Sequence, residues 1–263
     1  MKHFIQFKKP IDRSTLPKKF TFPFRYTPHP LCLIATEEIQ EHLKTQTEWN
    51  HNFGLEDGQE GAIIGKMFGV LVVENEHGEI GYLAAFSGKL AYGNHHSQFV
   101  PPVFDMLTED GFFSKGMMGL KRMTDDLDKL KKAHEDCEHK TQDELDALLS
   151  EIQQLKKDRK QTSINLQQRL FDNYHFLNSL GETKSLMDIF SGKKPPSGSG
   201  ECAAPKLLQY AFLHKLRPIC MAEFWWGKSP VSEIRKHGNF YPACQEKCAP
   251  ILSYMLVGIE MIS

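Results

Sequence analysis

The chain has 263 residues, 40% of them hydrophobic and 25% charged, with a formal net charge of −1. That is enough for one large domain or a domain with an appendage, and it lacks the global basic field that announces a nucleic-acid partner. The first twenty residues carry charges every few positions with no apolar stretch, so no secretory leader is expected. No run of about 18 apolar residues offers a membrane span. Six unevenly spaced cysteines do not form a disulfide framework, so a reducing, cytoplasmic setting is expected, with thiols free, metal-bound or catalytic.

Residues 1–30 are rich in Pro, Phe and Lys and predict an extended arm or edge segment; FTFPFRYTPHPLC alternates aromatics with prolines, as a strip packed on another surface would. LCLIATEEIQEHLKTQ then has helical spacing at Ile34, Ile39 and Leu43, with Thr36 as the expected cap and Glu37 and Glu38 in the first turn. GKMFGVLVV (65–73) and IGYLAAFSG (80–88), joined by a polar turn containing Gly78, predict a β-hairpin. PPVFDML leads to Asp110 and Gly111, where the composition changes.

From Ser114 to Leu180 the pattern is long, charged and helical. Leu120, Met123, Leu127 and Leu130 make one a/d seam, and Leu145, Leu148, Ile152 and Leu155 make another out of register with it. Thr141 followed by Glu144 is a capping box that starts a new helix. Two helices joined near 138–141 are expected: the first of about 25 residues and about 37 Å, the second of about 38 residues ending at Gly181. His134, Arg159 and Thr162 interrupt the seam. GKKPPSGSG (192–200) predicts a flexible linker carrying the cations Lys193 and Lys194. Beyond it, a helix, a strand and a helix complete the chain.

The expected class is therefore α/β (α+β): a small mixed sheet with flanking helices, interrupted by a long antiparallel helical hairpin of coiled-coil type. Its parts are 1–113 (arm and hairpin), 114–181 (helical insertion) and 182–263 (helix–strand–helix).

Cys202 stands at the start of one predicted helix and Cys244 and Cys248 at the start of another, with i, i+4 spacing that shares a face if Pro242 opens the helix. Thiolates near helix N-termini are favoured by the dipole, and three of them would hold zinc with one position open, as in catalytic sites. Glu201 adjoins Cys202 as a candidate proton shuttle, and His237 is a candidate fourth ligand that would close the site. The alternative is three buried free thiols. Trp225 and Trp226 end a strand with their indoles on opposite faces, available to stack a base or to pack. His95–His96 and His51–Asn52 fall in predicted loops. Gly65-Lys66 lacks P-loop spacing, and no G-x-S-x-G, H-E-x-x-H or dinucleotide fingerprint occurs.

Two resemblances follow from these residues. The hairpin–helix–strand–helix order with cysteines at two helix starts resembles the zinc-dependent nucleoside and nucleic-acid deaminases, whose signature is H-x-E or C-x-E with P-C-x-x-C. Here Ala204 stands where that glutamate would be, and the pair is spaced C-x-x-x-C. A broader resemblance runs through TPHPLCLIATEEIQEHL (27–43), QTEWNHNFGL (46–55), GKMFGVLVV, GYLAAFSGKL, FVPPVFDML, GECAAPKLLQYAF, MAEFWWG and FYPACQEKCAPIL. Together these are similar to the N-terminal region of a bacterial group of RluA-type RNA pseudouridine synthases. That resemblance implies an extension, helical arm included, preceding a synthase domain and helping to engage structured RNA (rRNA or tRNA) or a partner protein, with self-association through the arm as a further expectation. The family's reaction depends on an aspartate in an H-R-L-D-like motif, which is absent here; Arg169-Leu170-Phe171-Asp172 lies in the helical arm with the wrong spacing. The tail VGIEMIS ends where the synthase half would be expected to begin.

Overall fold

In the computed structural model, which describes residues 1–108, 111–136, 140–231 and 234–262, the arm opens with a short edge strand, β1 (Ile5–Gln6). Helix α1 (Pro30–Thr45) begins earlier than its sequence suggests: Pro30 occupies the first turn and the His29 ring accepts from the Leu31 amide at 3.3 Å. Proline is pre-set for that position, so Thr36 lies buried inside the helix rather than capping it.

The hairpin forms as expected, β2 (Lys66–Glu74) against β3 (Ile80–Phe86). Its turn is closed by the Asn75 side chain, which accepts from the His77 and Glu79 amides at 3.0 and 2.9 Å.

Two compact units make up the chain, Met1–Asp105 with Tyr174–Ser263, and Met106–Asn173. The second contains α2 (Phe112–Glu135) and α3 (Gln142–Asp172). Thr141 and Glu144 make the full capping box that their spacing predicts. The helices run antiparallel: Arg169 lies over the Phe112 ring, Gly116 faces Leu166, and Arg159 donates to the Thr124 hydroxyl at 2.8 Å. Arg159, an interruption in the apolar seam, is thus satisfied across the pair. Asp110 and the centre of the expected 138–141 joint lie outside the described residues.

Helix α3 stops at Asp172, nine residues before the expected end at Gly181. Tyr174 and Phe176 are buried and alternate with exposed neighbours, a period-two pattern that favours a strand. Strands β4 (His175–Leu177) and β5 (Thr183–Ser185) form a small hairpin whose turn contains Gly181 at φ +83. A short helix α4 (Leu186–Ile189) follows, then α5 (Ala203–Leu213), β6 (Arg217–Trp226) and α6 (Cys248–Met255).

The main sheet has the order β1-β3-β2-β6 and every pairing is antiparallel, so the expected mixed sheet is corrected to an antiparallel one. Strand β6 returns along the free edge of β2 after α5 has crossed the sheet. On one face Phe68, Val70, Phe86, Ala222, Phe224 and Trp226 pack with Cys32, Ala35 and Ile39 of α1. On the other face lies α5, so close that a Cβ at Gly69 would stand 3.0 Å from both Ala203 and Leu207. Glycine is needed there for the approach, and it is the residue paired with Glu223 across the strands. No helix among the described residues is long and apolar enough to cross a membrane.

Candidate metal centre

The segment before α5 is a succession of turns, with Ser199 and Gly200 buried, and does not run as the extended linker its composition suggests. Lys193 and Lys194 are exposed on it. Gly200 has φ +91, and a Cβ there would lie 2.8 Å from the Tyr174 ring, so both conformation and space demand glycine.

The next residue, Glu201, is tied on three sides. Its carbonyl accepts from the Gly88 amide at 2.8 Å, its carboxylate accepts from the Tyr174 hydroxyl, and Lys206 Nζ lies 3.5 Å away. Lys206, only 2% exposed, also donates to the Phe86 and Gly88 carbonyls, each at 3.2 Å. Burial holds its pKa below the ordinary lysine value, against the raising effect of Glu201. The glutamate expected to shuttle protons therefore belongs to a buried network that pins the strap to the end of β3.

Cys202 is the N-cap of α5 but makes no side-chain capping bond. The Ala204 amide donates instead to Glu223 Oε1 at 3.2 Å, a carboxylate reaching in from the middle of β6. The sulfur of Cys202 therefore caps nothing and bonds the Cys244 and Cys248 thiols instead.

Cys244 is not on a helix, because residues 239–243 are tied to the backbone of β6 and to Pro23. The Trp225 amide donates to the Asn239 carbonyl, Tyr241 to Glu223, and Ala243 to Pro23. Helix α6 starts beyond those bonds, and its first residue is Cys248. A tight turn between the two cysteines, closed by Ala249 N donating to Cys244 O at 3.1 Å, does the work expected of the i, i+4 helical spacing.

The three sulfurs of Cys202, Cys244 and Cys248 lie within 4.8 Å of one another. Cys248 is buried, Cys202 half-buried and Cys244 exposed. Hydrogen bonds from Cys202 and Cys248, followed by the Lys247 and Cys248 amides, hold the Cys244 thiol well below its ordinary pKa, while burial opposes this. Bonding to Cys202 and Cys244, then burial, pushes Cys248 up.

Zinc–sulfur bonds of about 2.3 Å at a tetrahedral angle place sulfurs about 3.8 Å apart, so this donor set fits zinc with small adjustments. Glu223, 4% exposed, is pushed up to about 7 chiefly by burial, with the Ala204 amide working the other way and Cys244 adding to the rise. Its carboxylate does not join the group of mutually close donors. It is a capping and neighbouring group, which sequence reasoning missed; the signal was one carboxylate inside the apolar string MAEFWW.

His237 is not brought to the cluster. Its Nδ1 accepts from the Gly227 amide at 3.0 Å and its ring packs on Trp226. The two indoles do diverge, but Trp226 is 3% exposed in the core against α1, which removes it as a base platform. Trp225 is half-buried and donates to the Gly227 and Lys228 carbonyls at 3.1 and 3.2 Å. His95 bonds Asp105 at 2.8 Å and is not among the clustered donors.

An antiparallel sheet between helices, with a three-thiol cluster at the starts of α5 and α6, defines a class: an α+β protein with a candidate thiolate metal centre. No protein-family model, curated protein or solved structure matches the chain.

Glu223→Ala is expected to weaken zinc binding about ten- to hundred-fold, the usual cost of losing a group that orients a metal ligand. Glu223→Gln, whose amide oxygen can still accept from Ala204, should lose less. Competition with a chromophoric chelator measures both, and equal loss in the two variants would show that charge matters rather than the capping bond.

Proposed function

We propose that this chain is a zinc-binding accessory module of an RluA-type RNA pseudouridine synthase, in which the core and a coiled-coil arm help engage structured RNA or a partner protein. One observation carries the metal: three sulfurs from two stretches of the chain, the start of α5 and the turn into α6, lie within 4.8 Å of one another. The family assignment is supported by strings spread over nearly the whole sequence, among them GECAAPKLLQYAF, MAEFWWG and FYPACQEKCAPIL. Without the H-R-L-D-like motif the chain itself has no synthase chemistry to perform. Zinc bound here would clasp the starts of α5 and α6 together, or act as a Lewis acid.

Metal analysis of the purified chain and of Cys244→Ser tests the centre. Binding to a structured RNA should weaken as salt rises, since any phosphate contact releases counterions; a flat salt response would speak against direct phosphate contact.

A second reading, a deaminase-like hydrolase acting on a base or nucleoside, is favoured by one feature. The carboxylate of Glu223 bonds the amide of Ala204, the position where a C-x-E motif would place its glutamate. The sheet–helix order around the cysteines supports the same reading. Turnover of cytidine, adenosine or RNA oligonucleotides by zinc-loaded protein, lost in Glu223→Gln, would favour this reading over the accessory one.

A further inference from the structure

At the end of the sheet nearest Lys66 lies a cleft of about 760 Å³, within the range of about 300–1,000 Å³ that holds small molecules. Its walls are tied. The His51 ring bonds the Ile64 carbonyl at 2.8 Å and accepts from the Ala91 amide at 3.2 Å, and the Asn52 amide donates to the Gln59 and Gly61 carbonyls at 2.8 and 3.2 Å.

The rim is a two-residue turn, Leu90 to Gly93, closed by reciprocal bonds of 2.8 and 2.9 Å. Both central residues have positive φ, 47° at Ala91 and 64° at Tyr92. Such turns favour Asn-Gly, and bulky residues in that region are strained. Here the strained position holds a tyrosine that is 92% exposed, so its ring stabilises nothing in the fold. Strain of this kind gathers at functional sites.

Chemistry converges around the ring. Lys66, half-buried, and Lys89, exposed, line the cleft and make no ion pair among the described residues. Burial and the neighbouring charge of Lys206 hold the Lys66 pKa down, with no carboxylate to offset them. Asn50 adds an exposed side-chain amide, and Glu60 is the one carboxylate on the lining.

We propose that this cleft binds one nucleotide of a single-stranded RNA segment, with the base stacked on Tyr92, its edge met by Asn50 and its phosphate held by Lys66 and Lys89. The inference rests on the RNA-engaging reading above and gives it a site. A flat aromatic ring fits an unstacked base, which a duplex does not offer.

The test is fluorescence anisotropy of the full chain with a labelled single-stranded RNA dodecamer of mixed sequence. Tyr92→Gly is the decisive variant, because glycine relaxes the turn as it removes the ring. It should raise the melting temperature while weakening RNA binding at least about fivefold, the lower bound for one lost base stack. Lys66→Gln and Lys89→Gln should each flatten the log–log salt dependence by about 0.7. Undiminished binding by Tyr92→Gly, or a duplex of the same sequence competing as well as the single strand, would overturn the cleft assignment while leaving RNA binding elsewhere. Absence of RNA binding by the unmodified chain would overturn the RNA reading itself, and the cleft with it.

Discussion

Purified with zinc present, the chain is expected to hold about one zinc per molecule and to lose much of its stability when the metal is stripped. Cys202 and Cys248 lie at the starts of α5 and α6, and Cys244 in the turn leading into α6. A metal joining them therefore cross-links two segments, around Cys202 and around Cys244–Cys248, that the unfolded chain leaves apart. Zinc at about 1,000 times its dissociation constant adds about 4 kcal/mol to folding, which for a chain of this size is about 8–16 °C in melting temperature. Cys202→Ser and Cys244→Ser should abolish stoichiometric zinc, and with it the difference between melts with and without a chelator. An unmodified chain that melts at the same temperature in chelator and in zinc, and carries no metal, would leave the cluster as three packed thiols.

Glu201→Leu is expected to cost about 3–5 kcal/mol, because it strands Lys206, only 2% exposed, without its carboxylate. The same substitution removes the acceptor of the Tyr174 hydroxyl. Adding Lys206→Met should recover part of the loss, since a buried pair replaced by apolar side chains is often tolerated. The recovery will be incomplete, as the Phe86 and Gly88 carbonyls lose their donor. Urea unfolding of the two single variants and the double variant gives the coupling directly. A loss below about 1 kcal/mol in Glu201→Leu would place this glutamate among ordinary surface carboxylates, and its role in the buried network would have to be abandoned.

Several elements were legible from local pattern. The continuous apolar run from Met67 to Val73 and its partner across Gly78 predicted the hairpin that forms, and Thr141 with Glu144 announced a helix start that the structure reproduces to the atom pair. The seam residues Leu120, Leu127 and Ile152 are buried. The errors share one cause. Thr36 looked like a cap because capping residues are recognised by type, yet Pro30 had already started the helix. The linker looked flexible because glycine and proline are also what a tightly turned, buried strap needs, as Gly200 against Tyr174 illustrates. His237 and Trp226 looked available because exposure is not written in residue type; they pack on each other at the end of β6.

What the sequence by itself determined is the inventory and its segmentation: hairpin, paired helices, then two further helices with a strand between them and cysteines at their starts. Those follow from periodicity and capping, which act over a few residues. Which groups face one another was decided only by tertiary structure. The pairing of β6 with β2 sets Glu223 opposite Gly69, and the missing side chain at Gly69 lets α5 settle close enough for that carboxylate to cap it. Bonds from the backbone of β6 and from Pro23 hold residues 239–243 out of a helix, so that Cys244 meets its partners from a turn. Contacts between residues far apart in the chain, enforced by close packing, leave no mark in local propensity.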